Sequence, residues 1–163
     1  MKAPPEYVAA HGLLRGKSVL VTAAAGAGIG FAVAQRAAEE GCRSLVISDV
    51  HERRLNDAVA ALREKTGLAD IHGLLCDVSQ QDQVDALMAF AEERTGGVDV
   101  LINNAGLGTS RRLVDMPDAE WHKVIDVTLT GTFRMTRAAL QVMQPRGRGV
   151  IVNNASVQIG RAS

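Results

Sequence analysis

Five short apolar segments, separated by longer amphipathic ones, constrain the fold of this chain more than any other feature. Runs of about five Val, Leu and Ile residues are typical of buried strands, and apolar residues three and four positions apart predict helices. We predict strands at 17–21, 44–48, 71–75, 98–102 and 149–153, and helices at 30–40, 52–65, 79–94 (capped by Ser79) and 118–143. Such alternation produces right-handed crossovers and a parallel sheet. The pattern predicts an α/β fold, a doubly wound parallel sheet with helices on both faces.

The composition fits one such domain and narrows the function classes. Of the 163 residues 47% are apolar but only 3% aromatic, as in a parallel sheet covered by helices. Basic and acidic residues balance at 18 each, so no net charge favours nucleic acid or an anionic membrane as partner. No apolar run reaches the ~18 residues of a membrane span, and the first residues do not resemble a secretory signal. We expect a cytoplasmic protein, with residues 1–16 as an irregular leader and residues 17–163 as the domain.

The two cysteines, Cys42 and Cys76, lie far apart in the sequence and form no CxxC pair. Each stands beside an apolar strand, where a thiol behaves as a small hydrophobic side chain. We therefore expect both to be buried, and we predict no metal site.

A turn rich in Ala and Gly joins the first predicted strand to the first helix, between Thr22 and Gly30. Small side chains let the backbone approach a ligand, and the unpaired N–H groups at the start of a helix attract phosphate. Small residues also serve tight helix–strand packing, so the turn alone leaves both interpretations open. As a phosphate site the turn would use Thr22, Ala24, Gly26, Gly28, Ile29 and Gly30.

Acidic residues follow the second and third predicted strands. Asp49 lies 19 positions after Gly30, where a carboxylate can accept hydrogen bonds from the ribose diol of an adenosine and would repel a 2′-phosphate. The alternative for Asp49 is a helix cap. Asp77 and Val78 follow the third strand, where they either contact an adenine or form an ordinary helix entry.

Two amides and two small residues, Asn103-Asn104-Ala105-Gly106, follow the fourth strand. The amides can cross-link neighbouring strand ends, while Ala105 and Gly106 leave room for a ribose. In a parallel sheet all these strand ends lie at one edge, and ligands bind there where the strand order reverses. The sequence therefore predicts a Rossmann-type dinucleotide-binding domain.

The Ala/Gly turn, Asp77-Val78, Asn103 to Gly106 and the segment Asn153-Asn154-Ala155-Ser156-Val157 together resemble the short-chain dehydrogenase/reductase family. The likeness extends from Gly16 onward and is greatest to actinobacterial-type reductases of coenzyme A thioesters, including steroid-degrading and 3-oxoacyl-carrier-protein reductases. It implies an NAD(P)-dependent oxidoreductase that interconverts a secondary alcohol and a ketone. We favour NAD because of Asp49, although His51, Arg53 and Arg54 keep NADP open.

The resemblance also implies roles for individual residues. Ser156 would orient the substrate oxygen, and Thr128 stands where the family often has a proton-relaying Asn. The cofactor would contact Asp49, Asp77, Val78, Asn104, Ala105 and Gly106 in addition to the turn. The substrate would be a small ketone or alcohol, including one carried on a coenzyme A or carrier-protein thioester. The full-length protein would be a homodimer or homotetramer that packs the long helix against a partner subunit.

The chain also departs from the family pattern. The turn has Thr22-Ala23 in place of Thr-Gly and is one residue longer, and no Tyr-x-x-x-Lys follows Ser156 within the 163 residues. By comparison with the family we therefore expect the N-terminal part of an enzyme, a Rossmann-type sheet truncated after the fifth strand, without turnover of its own. The alternative is a non-catalytic dinucleotide-binding module or an inactive truncated gene product. A methyltransferase would share the glycine turn but gives no reason for the Asn-rich segments.

Overall fold

The computed structural model describes residues 6–155 and contains a five-stranded parallel sheet. The strands are β1 (Ser18–Val21), β2 (Ser44–Asp49), β3 (Ile71–Leu75), β4 (Val100–Asn103) and β5 (Val150–Asn153). The helices are α1 (Ile29–Glu39), α2 (Glu52–Thr66), α3 (Gln81–Thr95), α4 (Asp118–Ile125) and α5 (Gly131–Met143), with short 3-10 turns at Leu113–Asp115 and Gln144–Arg146. The strand order β3-β2-β1-β4-β5 reverses between β1 and β4, which confirms the predicted doubly wound sheet.

The alternation of side chains along the central strands divides the core into two layers. Val19 and Val21 of β1 pack in the layer that contains α1 and α2, whereas Leu20 packs in the layer with α3 and α5. All residues of β1 and β2 are buried, because helices cover both faces of a parallel sheet. Cys42 and Cys76 lie in these layers and are buried, as predicted.

The entry to α3 differs from the prediction that Ser79 caps this helix. The helix begins at Gln81, and no side chain caps it. Ser79 instead donates its backbone N–H to Asp77 Oδ1 at 2.9 Å, while Asp77 donates its own N–H to Gln83 Oε1 at 2.8 Å. The Ser79 hydroxyl accepts a hydrogen bond from Gln80 Nε2 at 3.0 Å and not from an N–H group at the start of the helix.

The single long helix predicted at 118–143 is interrupted in the structure. A π-helical turn, Asp126–Thr130, joins α4 to α5 and contains Thr128. Such widened turns are rare and are found frequently at functional sites, and nothing in residue spacing distinguishes them from an ordinary helix. Beyond the turn, Gly131 lies against Val78, where a Cβ would come within 2.6 Å of Val78 Cγ2. Within residues 6–155 no helix combines the length and apolarity of a membrane span.

The described part of the leader, residues 6–16, contains no helix or strand and is held against the C-terminal end of α1. Glu40 organises the contact: its buried carboxylate accepts hydrogen bonds from the backbone N–H groups of His11 at 2.9 Å and Leu13 at 3.0 Å. Arg36 adds an ion pair at 2.5 Å. The hydrogen bond from Leu13, with smaller effects of His11 and Arg36, lowers the pKa of Glu40 to about 2 although its burial opposes the shift.

Candidate functional site

The carboxyl ends of the strands surround a cavity of about 350 Å³ beside the point where the strand order reverses. Five residues predicted as cofactor contacts line it: Asp49, Asp77, Val78, Ala105 and Gly106. The cavity is also lined by Ala23 and His51, which the sequence singles out near the cofactor, whereas sequence reasoning missed Val50, Cys76, Leu107, Lys123 and Val127. Lys123 and Val127 stand four positions apart, so a helix would carry them on one face; this spacing is the only sequence feature that relates them to each other.

Two of the predicted turn residues, Thr22 and Ala24, lie beneath the turn and not in the cavity. Thr22 is buried, and its Oγ1 accepts hydrogen bonds from the N–H groups of Asn104 and Ala105, both at 3.0 Å. Ala24 is fully buried and donates its N–H to the Ser48 carbonyl at 3.0 Å. These hydrogen bonds fix the path of the turn. A bound cofactor would contact other residues of the turn and not these two.

The upper part of the turn is open toward solvent. A Cβ on Gly26 or Gly28 would meet nothing within 4 Å, and Ile29 is 64% exposed. Helix α1 starts at Ile29 after Gly28 without a side-chain cap, so its first N–H groups have no side-chain partner. Gly30 is different: a Cβ there would come within 2.5 Å of Asn104 Nδ2. The turn therefore offers open space and unpaired N–H groups, which suit a pyrophosphate.

Ala23 occupies the position where the family pattern has its first Gly. Its φ is 51°, in the left-handed region, and among the described residues it is the only non-glycine with positive φ. An alanine in this conformation costs about 1–2 kcal/mol because its Cβ crowds the following carbonyl oxygen. The turn thus adopts a glycine-like path without the glycine, at a residue that lines the cavity.

Asp49 is held rigidly at the end of β2. Its Oδ2 accepts a hydrogen bond from the N–H of Ala25 at 3.1 Å, and its Oδ1 accepts one from the N–H of His51 at 3.1 Å. Only 9% of the residue is exposed. Helix α2 begins at Glu52 after His51, so the alternative of a cap on this helix finds no support. Each carboxylate oxygen retains acceptor capacity toward the cavity.

Asp77 and Val78 combine the two alternatives left open by the sequence. Asp77 takes part in the entry to α3 through its contacts with Ser79 and Gln83. Both Asp77 and Val78 also line the cavity, Val78 with its side chain buried against Gly131. The helix-entry contacts therefore position the two residues at the cavity wall.

The amides after β4 cross-link three strand ends, as their types and position predict. Asn103 donates its Nδ2–H to Asn153 Oδ1 of β5 at 2.9 Å and to Thr136 Oγ1 of α5 at 3.0 Å. Asn104 donates from Nδ2 to the carbonyl oxygens of Thr22 at 3.1 Å and Ala23. The structure thus ties β1, β4 and β5 together at the edge that carries the cavity.

Thr128 lies in the π-helical turn and contacts the loop that follows Gly106. Its Oγ1 accepts a hydrogen bond from the N–H of Leu107 at 3.1 Å and donates to the Leu107 carbonyl at 3.4 Å. A Cβ on Gly106 would lie 3.7 Å from the same hydroxyl. Thr128 is thereby placed to hold the wall of the cavity. Ser156, the predicted substrate-orienting residue, lies outside the described residues.

Cys76 borders the cavity, but its thiol is unreactive near neutral pH. Burial, and to a smaller extent the nearby Asp77 charge, raises its pKa to about 12. Burial likewise raises the pKa of Cys42 to about 11. Both thiols therefore stay protonated near neutral pH, and thiolate nucleophiles are not available from them.

Comparison with known proteins gives the family. The sequence pattern of the short chain dehydrogenase family matches residues 17–162, so the chain belongs to that family. The chain is 52% identical, over 164 aligned positions, to a (5R,7aS)-5-hydroxy-7a-methyl-1-oxo-2,3,5,6,7,7a-hexahydro-1H-indene-carboxyl-CoA reductase of Mycobacterium tuberculosis H37Rv. The alignment covers 99% of this chain and 62% of that reductase. The resemblance to coenzyme A reductases stated above is thus confirmed.

Solved structures agree with this assignment. A short chain dehydrogenase from Mycobacterium smegmatis superposes with a TM-score of 0.87 at 51% identity, over 95% of this chain and 63% of that one. A variant of actinorhodin polyketide ketoreductase with NADPH superposes with a TM-score of 0.81 at 38% identity, over 86% of this chain and 53% of that one. The family and the NADPH complex support NAD(P) as the cofactor class. The chain spans less than two thirds of the length of each of these proteins.

Proposed function

We propose that this chain is the cofactor-binding part of an NAD(H)-dependent oxidoreductase that interconverts a secondary alcohol and a ketone. The observation that carries the proposal is the convergence of Asp49, Asp77, Val78, Ala105 and Gly106 on one cavity next to the open glycine turn. A nicotinamide cofactor, when bound, supplies or accepts the hydride. The chain's own residues would bind and orient it.

The roles of the residues follow from their contacts. The N–H groups at the start of α1, reached past Gly26 and Gly28, would bind the pyrophosphate, with Ile29 and Gly30 in the first turn. Asp49 would accept hydrogen bonds from the adenosine ribose, and Asp77 and Val78 would border the adenine. Asn104, Thr22 and Ala24 would keep the turn in place through their buried hydrogen bonds.

On the substrate side we propose Ser156 and Thr128. A serine hydroxyl in the family position would donate a hydrogen bond to the substrate oxygen, where charge develops during reduction. Thr128 would act as a positioning residue, because its hydroxyl already holds Leu107 at the cavity wall. As substrate class we propose a ketone or alcohol carried on a coenzyme A or carrier-protein thioester, since the 52%-identical relative is a carboxyl-CoA reductase. We propose a homodimer or homotetramer for the full-length protein.

The test is a titration of the 163-residue chain with NADH, followed by nicotinamide fluorescence, together with a ketone reduction assay. We expect saturable binding without turnover, because no Tyr-x-x-x-Lys general acid follows Ser156 in these residues. A version extended by the coding sequence downstream of Ser163, if that sequence supplies Tyr-x-x-x-Lys, should reduce ketones. A folded extended protein of this kind that reduced no ketone with NADH or NADPH would contradict the proposal.

A further inference from the structure

The left-handed conformation of Ala23 needs support from outside the turn. Alanine has no intrinsic preference for φ near 51°, and free peptide chains leave this region readily. Such conformations persist only where surrounding contacts hold them. The turn's own backbone bonds, from Thr22 N–H to the Ile102 carbonyl and from Ala24 N–H to the Ser48 carbonyl, anchor the residues on either side of Ala23. The peptide groups at Ala23 itself require a further partner.

That partner is the side chain of Asn104. Its Nδ2 has two hydrogens, and it donates to the carbonyl oxygens of Thr22 at 3.1 Å and of Ala23 at 3.0 Å. The two carbonyl groups on which the conformation of Ala23 depends thus converge on one amide nitrogen. Gly30 leaves the space for this contact, since a Cβ there would clash with the Ala23 carbonyl oxygen and lie 2.5 Å from Asn104 Nδ2.

The amide of Asn104 is in turn oriented by Asn154, just beyond β5. Asn104 Oδ1 accepts a hydrogen bond from Asn154 Nδ2 at 2.9 Å. Asn154 is kept in register by its own N–H, which donates to the Asn103 carbonyl at 2.9 Å. A rotated Asn104 amide would place its oxygen against two carbonyl oxygens, and the bond from Asn154 favours the productive orientation.

We propose that Asn154 is a positioning residue for the nucleotide-binding turn: through Asn104 it holds Ala23 in the left-handed conformation. The relay runs across three neighbouring strand ends, from β5 through β4 to β1. The inference rests on the proposed function in one respect, because the expected change in NADH affinity requires that the cofactor binds at this turn. The hydrogen-bond relay itself is a property of the chain.

A double-mutant cycle of Asn154→Ala and Ala23→Gly tests the relay. Glycine adopts positive φ without strain, so a turn with glycine at position 23 no longer needs the support. We expect Asn154→Ala to weaken NADH binding by about three- to tenfold, the usual worth of one hydrogen bond. In the Ala23→Gly background the same substitution should weaken binding less than about twofold, a coupling that the cycle measures directly.

Asn153→Ala provides the matched control. Asn153, the last residue of β5, stands one residue earlier, and its Oδ1 accepts from Asn103 Nδ2 and not from Asn104. Its effect should be the same with alanine or glycine at position 23. The proposal is overturned if Asn154→Ala leaves NADH binding unchanged, or if its effect adds to that of Ala23→Gly as the control's does.

Two further measurements keep the outcome decisive. If Asn154→Ala does not fold, Asn154→Asp, which keeps the side-chain shape but removes the donor hydrogens, takes its place in the cycle. If the unsubstituted chain binds no NADH, the proposed function fails, and the cycle is measured on urea unfolding midpoints. Coupling between positions 154 and 23 in unfolding would then still support the relay, whereas additive midpoints would exclude it.

Discussion

Asp49 is the residue whose surroundings say most about the choice between NAD and NADP. The N–H groups of Ala25 and His51 each donate to one of its carboxylate oxygens, so the side chain cannot turn away from a ligand beside it. A ribose diol would complete the hydrogen bonding of this carboxylate, whereas a 2′-phosphate would bring a second negative charge against it. Arg54 lines a second groove, of about 500 Å³ between α1 and α2, which Gly26 and Gly28 of the turn also line.

The prediction at this scale concerns Asp49→Asn. We expect the unsubstituted chain to bind NADH at least about tenfold more tightly than NADPH, and Asp49→Asn to bring the ratio of the two affinities close to one. The ratio is informative because a loosened turn would weaken both ligands alike. Asp85→Asn, in the groove between α3 and α5, is the control and should leave the ratio unchanged. If Asp49→Asn still bound NADH about tenfold more tightly than NADPH, residues other than Asp49 would be responsible for the preference.

Among the larger elements, the leader and α1 form a unit held by the Glu40 carboxylate. Because its pKa falls to about 2 from an ordinary value of 4.5, the folded state favours the charged form. The stabilisation is present above about pH 4.5 and is lost as the pH falls toward 2, where the folded protein also takes up the proton. Glu40 therefore contributes to acid unfolding of the domain.

The prediction for this unit is that Glu40→Gln lowers the free energy of unfolding at pH 7 and flattens its decline between about pH 5 and pH 2. Urea unfolding at several pH values measures both effects. Glu64→Gln, on the exposed face of α2, is the matched control and should change neither. An unchanged pH dependence in Glu40→Gln would show that the leader contact has no such role.

The sequence predicted the elements well and their interruptions poorly. Alternating apolar segments were sufficient for the parallel sheet, and the Asn103-Asn104 pair was sufficient for the cross-links between strand ends. The π-helical turn at Thr128 has no signature in residue spacing, and the bond between Asn154 and Asn104 joins residues 50 positions apart through the β4–β5 register. Ala23 in a left-handed conformation contradicts local preference, so only the surrounding contacts explain it.

Across the whole molecule, an exposed apolar face extends along α4, the π-helical turn and α5. Its large side chains are Trp121, Leu129, Phe133 and Leu140, with exposures between 39% and 64%. Patches of this kind promote association in water. We accordingly expect the 163-residue chain to self-associate and to be only marginally stable.

Size-exclusion chromatography with light scattering checks this prediction. The double substitution Leu129→Glu and Phe133→Glu should shift the chain toward the monomer, because it places charge on the apolar face. Val114→Glu is the control: this valine is 86% exposed but lies in the 3-10 turn before α4 and not on α4 or α5. A monomeric unsubstituted chain with a sharp cooperative melt would contradict the expectation.

The central claim is that the carboxyl edge of the sheet binds a nicotinamide dinucleotide, and NMR titration of the chain with NADH tests it most directly. The account predicts that backbone amide resonances of four segments shift together and saturate: residues 24–30, 49–51, 77–78 and 104–106. Resonances at the opposite end of the sheet, around Asp99 and Val150, should stay in place. Saturable shifts confined to another surface, or no shifts at millimolar NADH, would contradict the account.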